Sequence, residues 1–102
     1  MPRRSSVGRV MSSGRAVRGN RMVVFVAPGT GSVAFVAGRR IGRAVVRNRA
    51  RRIMRAAWRV LARRPRNDVD IAFVARGAIR GAKTQDLVDE MRELLARGEP
   101  PA

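Results

Sequence analysis

From Arg43 to Arg63 the chain places Arg43, Arg47, Arg49, Arg51, Arg52, Arg55, Arg59 and Arg63 without one acidic residue among them. At roughly 100° per residue, Arg47, Asn48, Arg51, Arg52, Arg55 and Arg59 share one arc of a helix, with Arg49 at its edge. Arg47, Arg51, Arg55 and Arg59 follow one another at i,i+4, where like charges cost about a few tenths of a kcal/mol per pair. A helix face with no task beyond solubility would intersperse Glu. The row therefore reads as a phosphate-binding ridge, because the planar guanidinium fork matches phosphate oxygens two at a time. Arg39, Arg40 and Arg43 extend it from the preceding loop, and Asn48 can bond the partner or that loop. Trp58 falls near the boundary of the two arcs and reads as a packing residue, with base stacking as the alternative.

A second chemistry has to be weighed. Asp68 and Asp70 share a strand face by their i,i+2 spacing, and Asp86, Asp89, Glu90 and Glu93 sit on a helical stretch. Convergent carboxylates of this kind could hold magnesium in a stand-alone nuclease. The simpler reading is that the two aspartates open a strand and the helix acids form its solvated face. With no His and no Cys in the chain, imidazole ligands, His-based triads and thiolate chemistry are excluded. No catalytic residue is assigned.

The 102 residues suit a single domain over 1–102, with 1–4 and 98–102 expected to be flexible. Hydrophobic residues at 45% are too many for a disordered basic tail. The net charge of +16 is uneven: residues 1–67 hold 18 basic residues and no acid, whereas 68–102 hold five basic and seven acidic. Such a segment favours a polyanionic partner. Of the 23 basic residues only Lys83 is a lysine, a bias that phosphate recognition and GC-rich coding would each produce. The longest apolar run, Met22–Pro28, falls far short of a membrane span. No signal peptide is apparent, so a cytoplasmic location without membrane association is expected.

These residues need elements to position them. Val7, Val10 and Met11 at i, i+3, i+4 predict a short helix capped by Ser5 or Ser6 and ended by Gly14. A basic connector (Arg15, Arg18, Arg21) leads to a strand over Met22–Ala27. The turn signal Pro28-Gly29-Thr30-Gly31 and a second strand over Val33–Ala37 complete an expected hairpin. After the basic loop 38–42, the helix from Arg43 to about Arg63 buries Val46, Ala50, Ile53, Ala57, Val60 and Leu61. Val69–Ala75 reads as a fully buried strand. Thr84 caps a last helix with Leu87, Val88, Met91, Leu94 and Leu95 in one stripe, ended by Gly98 and Pro100. The order α-β-β-α-β-α is an α+β sandwich of helices on a small sheet.

The stretch from Gly42 to Arg55 closely resembles the signature of the bacterial ribonuclease P protein component. Arg47-Asn48-Arg49 match its RNR triplet, Arg51-Arg52 its basic pair and Arg55 its last basic position. Val33 to Gly42 resembles the family's strand and its "V-S-K-K-[IV]-G" loop, with Arg39 and Arg40 for the lysines and Gly38 for the serine. Asp70 to Arg76 resembles its later strand, and the similarity runs over almost the whole chain.

The resemblance implies an α-β sandwich in which the long RNR helix lies within a left-handed β-α-β crossover, opposite to the usual hand. It implies a protein subunit that binds the catalytic ribonuclease P RNA and the 5′ leader of precursor tRNA, assisting endonucleolytic removal of that leader. Magnesium is then expected in the holoenzyme, bound mainly by RNA with none intrinsic to the protein, and no obligate protein partner is expected. RNA-subunit contacts are expected at Arg39, Arg40, Arg43, Arg47, Asn48, Arg49, Arg51, Arg52 and Arg55, and leader contacts at Val7, Met11 and Phe25. The family's N-terminal helix carries aromatics where this chain has Val7 and Met11, whereas Phe25 matches its aromatic strand position. Strand alternation leaves open whether Phe25 faces a groove or the core. A ribosomal or other structural RNA-binding protein is the alternative that composition also fits, and a histone-like DNA binder a weaker one.

Overall fold

The computed structural model describes residues 4–61 and 68–98. In chain order it forms α1 (Arg4–Ser13), β1 (Arg15–Arg18), β2 (Met22–Pro28), β3 (Val33–Val36), α2 (Ala44–Val60), β4 (Val69–Ala75) and α3 (Thr84–Gly98). Single 3-10 turns at Arg39–Ile41 and Gly77–Ile79 lead into α2 and α3. The sheet order is β1-β2-β4-β3, with β3 parallel to β4 and the other pairs antiparallel. This is the α+β sandwich expected from the sequence. Arg4 opens α1 and Gly98 closes α3; the rest of the expected flexible ends, 1–3 and 99–102, lies outside the described residues, as does Pro100.

Two strand expectations are corrected. Residues 15–18 are a strand paired to β2, not a connector, and the hairpin of the fold is β1–β2. Arg15 and Arg18 disguise it because charged residues are how a short edge strand is kept from pairing further. The turn after β2 does not return the chain onto β2. It wraps the start of β4 instead: Gly29 N–H donates to Asp68 O, Gly31 N–H to Val69 O and Ile71 N–H to Ser32 O. β4, apolar on both faces, takes the central place between β2 and β3, where a doubly covered strand belongs.

Smaller corrections concern helix ends. Helix α1 starts at Arg4, so Ser5 and Ser6 lie within it, while Gly14 N–H closes it onto Val10 O. Thr84 is the first helical residue of α3; the cap is reciprocal, with Asp86 Oδ2 accepting from Lys83 N–H and Lys83 O accepting from Asp86 N–H.

One sheet face builds the main core. Met22, Val24 and Val26 of β2 and Ile71 and Phe73 of β4 meet Ala50, Ile53, Met54 and Ala57 of α2 and the expected stripe of α3. Phe73 is fully buried between Phe35 (centroids 5.8 Å, stacked) and Trp58 (5.6 Å, tilted), which places Trp58 in packing. Val60, expected to be buried, is 59% exposed because α2 ends there. Among the described residues no helix is long and apolar enough to cross a membrane.

Candidate nucleic-acid interface

The basic ridge is real and is built from the buried side outward. With Ala50, Ile53, Met54 and Ala57 turned into the core, helical geometry leaves Asn48, Arg52, Arg55 and Arg59 exposed along the crest. Arg47 and Arg51 lie on the flank nearer β3, half-buried. Arg51 donates to Ala37 O at 3.5 Å and to Asn48 Oδ1. Arg55 lies over the Phe35 ring, 5.5 Å from its centroid. Arg49 leans to the other flank and donates to Ala82 O at 2.8 Å, tying α2 to the segment before α3. Of the RNR triplet, then, Arg49 is engaged by the protein, and Asn48 holds Arg51.

Among the described residues the ridge has no counter-charge. The ion pairs Arg9–Asp70, Arg21–Glu90 and Arg92–Asp89 all lie off α2, and α2 contains no acid. Among the described residues, Arg47 Nε is buried without a hydrogen-bond partner. The α2 N-terminus adds to the field, since Arg43 at the cap position makes no side-chain capping bond and the first turn holds no acid. Its free N–H groups carry partial positive charge. Arg39, Arg40 and Arg43 stand exposed beside it, so a phosphate would find backbone and side-chain donors together.

The residues expected to contact the leader lie on the opposite sheet face and on α1. Residues paired across strands share a face, so Ala16, Phe25, Ala72 and Ala34 form one row, and Arg18, Val23, Val74 and Val36 the next. Helix α1 covers part of the first row: Val10 is buried against Ala27 and Ala72, with Phe25 and Ala34 packed around it. Phe25 thus faces away from the main core and stays half-buried. Val7 is half-buried and Met11 exposed on α1. Val23, Val36 and Val74, half-buried beyond the helix, complete an apolar floor that the sequence reading did not assign. Their signal was hidden because β4 is apolar at every position but Asp70, so only the strand register separates its faces. The edge strand β3 lies between groove and ridge.

The two buried acids, Asp70 and Glu90, are committed to the fold. Asp70 is 4% exposed; Oδ1 accepts from Thr30 and Ser32 N–H at 2.9 Å each, and Oδ2 pairs with Arg9. Burial would raise its pKa, but the N–H groups of Ser32, Thr30 and Gly31 and the Arg9 charge outweigh burial and hold it below the ordinary 3.8. Glu90, read from the sequence as part of a solvated face, is 9% exposed and accepts from Arg21 and Met22 N–H. Among the described residues no three His, Cys, Asp or Glu gather around a point that could hold a metal ion.

The chain as a whole is similar to known proteins. The family model described as Ribonuclease P matches residues 2–99. A ribonuclease P protein component from Symbiobacterium thermophilum is 40% identical over 92 residues, covering 86% of this chain and 80% of the relative. One from Thermoanaerobacter sp. (strain X514) is 34% identical over 92 residues, covering 87% and 79%. Among solved structures, the RNase P protein of Staphylococcus aureus superposes with a TM-score of 0.78 at 18% identity, covering 97% of this chain and 94% of that one. That of Thermotoga maritima gives 0.71 at 20% identity, covering 89% of each.

Proposed function

This chain belongs to the ribonuclease P protein family, and from that premise we propose how its two surfaces divide the work. It is the protein component of an endoribonuclease that acts in tRNA processing, and it works with a ribonuclease P RNA. In our reading the α2 ridge, with Arg39, Arg40 and Arg43, takes the RNA subunit, and the groove between α1 and the sheet takes the single-stranded 5′ leader of precursor tRNA. Phosphodiester hydrolysis then belongs to the RNA and its magnesium in the cytoplasm, while the protein raises substrate affinity and lowers the magnesium requirement through its positive field.

The observation that carries this reading is the uncompensated ridge. Rows of unneutralised guanidinium groups repel one another. The repulsion is relieved when phosphate oxygens arrive, and among the described residues no acid stands on the ridge to neutralise it. The groove supplies the complementary part: Phe25 offers a ring for base stacking, with Val7, Met11, Val23 and Val74 as apolar walls and floor.

Reconstitution tests the proposal. The purified chain loaded with magnesium should leave precursor tRNA intact, and adding a ribonuclease P RNA at low magnesium should give cleavage at the leader junction. Replacing Arg47 and Arg51 together with Ala should weaken RNA-subunit binding and flatten its salt dependence by up to about 0.9 log unit per lost phosphate contact. Cleavage by the protein alone, or an unchanged salt slope, would remove the proposal's basis.

A further inference from the structure

Among the described residues, Val10 and Arg9 anchor helix α1 to the sheet. At ten residues it is too short to be stable alone in water, so contacts with the sheet must set where it lies. Val10 is its fully buried side chain among those described, seated in a small cluster apart from the main core. Val10 fixes the point of contact, and a tie at a second point is what opposes rotation about the helix axis. The second anchor is Arg9: Nη1 donates to Pro28 O at 2.8 Å and Nη2 to Asp70 Oδ2 at 2.5 Å.

Asp70 is not a surface partner. Its other oxygen is committed to the turn at Thr30 and Ser32, and the carboxylate occupies the space a side chain at residue 29 would need, so only Gly fits there. The carboxylate therefore joins β4, the 29–32 turn and α1 at one point. At roughly 100° per residue, with Val10 aimed at the sheet, Arg9 lies about 100° to one side and Met11 about 100° to the other. Val7, one turn before Met11, lies closer to the sheet, beside Ala34, Ala72 and Asp70. Arg9 and Met11 thus stand on opposite flanks of one helix.

We infer that Arg9 and Asp70 form a latch that sets the roll of α1 over the sheet and so the width of the groove, which makes both of them positioning residues for the leader. The inference rests on the groove reading given above. Without the latch, α1 can roll about Val10, and Met11 no longer stands at one distance from Phe25. The leader would then bind to a spread of groove widths, while the α2 ridge, on the far side of the sheet, keeps its hold on the RNA subunit.

The test uses the full chain reconstituted with a ribonuclease P RNA. Arg9→Ala and Asp70→Asn should each lower the preference for precursor over mature tRNA about fivefold, with RNA-subunit affinity unchanged within about twofold. Asn keeps an acceptor for Thr30 and Ser32 but turns an amide NH₂ toward Arg9. Arg9→Lys should recover part of the loss, because one ammonium cannot reach both acceptors in a fork. Because the chain has no cysteine, spin labels on Ser12→Cys and Gln85→Cys can report the seat of α1 directly, and Arg9→Ala should broaden that distance distribution. If Asp70→Asn does not fold, Arg9→Ala and its distance distribution decide alone. A loss in Arg9→Ala with an unbroadened distribution would mean Arg9 touches the leader itself, which overturns the latch. Unchanged discrimination in both latch variants, beside a loss in Phe25→Ala, would overturn the latch and keep the groove. Unchanged discrimination in Phe25→Ala as well would overturn the groove reading and the latch with it.

Discussion

Glu90 offers a measurable test of how this small domain is held together. It lies on α3 among residues whose charge would ordinarily face solvent, yet its carboxylate is 9% exposed. Oε2 accepts from Arg21 N–H at 2.9 Å and Met22 N–H at 3.0 Å, and Oε1 from Arg21 Nη1 at 3.3 Å. It thereby ties α3 to the first residues of β2. At Gly19, in the turn before them, a side chain would meet the same carboxylate. Removing the acceptor by Glu90→Ala strands the Met22 N–H, which has no solvent access at a fully buried residue, and partly strands that of Arg21. At about 1–3 kcal/mol for a buried orphan donor and less for one that water can reach, the cost should be about 2–4 kcal/mol. For a domain of about 100 residues that lowers Tm by roughly 10–20 °C. Glu90→Gln keeps an acceptor and loses the charge-assisted part, about 1 kcal/mol. Glu93→Ala, exposed one turn away, should shift stability by less than about 0.5 kcal/mol. Thermal melts of the three variants decide it, and equal shifts for Glu90→Ala and Glu93→Ala would refute the reasoning. Below its melting temperature, Glu90→Ala should bind the RNA subunit like the unaltered chain.

Three other outcomes follow from the same geometry. Phe25→Ala should weaken precursor binding relative to mature tRNA by about 1–2 kcal/mol, the worth of one stacked base, with equilibrium binding as the check. Its cost to stability should stay near 1 kcal/mol, because the ring is half-buried outside the main core. The Asp70 carboxyl is held below its ordinary 3.8 in the folded chain, so its stabilisation is fully present above that value and is lost as pH falls through the lower folded one. Denaturant melts should therefore show Asp70→Asn weaker than the unaltered chain at neutral pH, with the gap closing below about pH 4. Gly29→Ala should destabilise the turn by displacing that carboxylate, visible as a lowered Tm and an altered acid slope.

Much of the interface was legible before any tertiary structure. Apolar spacing at 3.6 residues put α2 and α3 in place, and the same periodicity laid the arginines along one line, because an acid-free face can be read from residue order alone. Local signals also sufficed for Gly14 ending α1 and for the strands at 22 and 69. What required the tertiary structure was every relation carried by pairing between distant segments. Adjacent strands in sequence suggest a hairpin, but β4 enters between β2 and β3 because it is the strand with apolar residues for both faces, and a linear pattern has no term for that competition. The face taken by Phe25 followed only from its register with Ala72, since Val24 and Val26 would serve a core equally well. Asp70 read only as the opening of a strand and Glu90 as part of a solvated helix face, because local composition says nothing about which backbone N–H groups will be buried beside them. Their partners lie 38 to 69 residues away, and a buried carboxylate is tolerated only where such donors converge on it. Arg49 shows the same rule on the ridge. Sequence places it among the arginines that reach outward, and the packing of α2 against the segment before α3 turns it to Ala82 O instead.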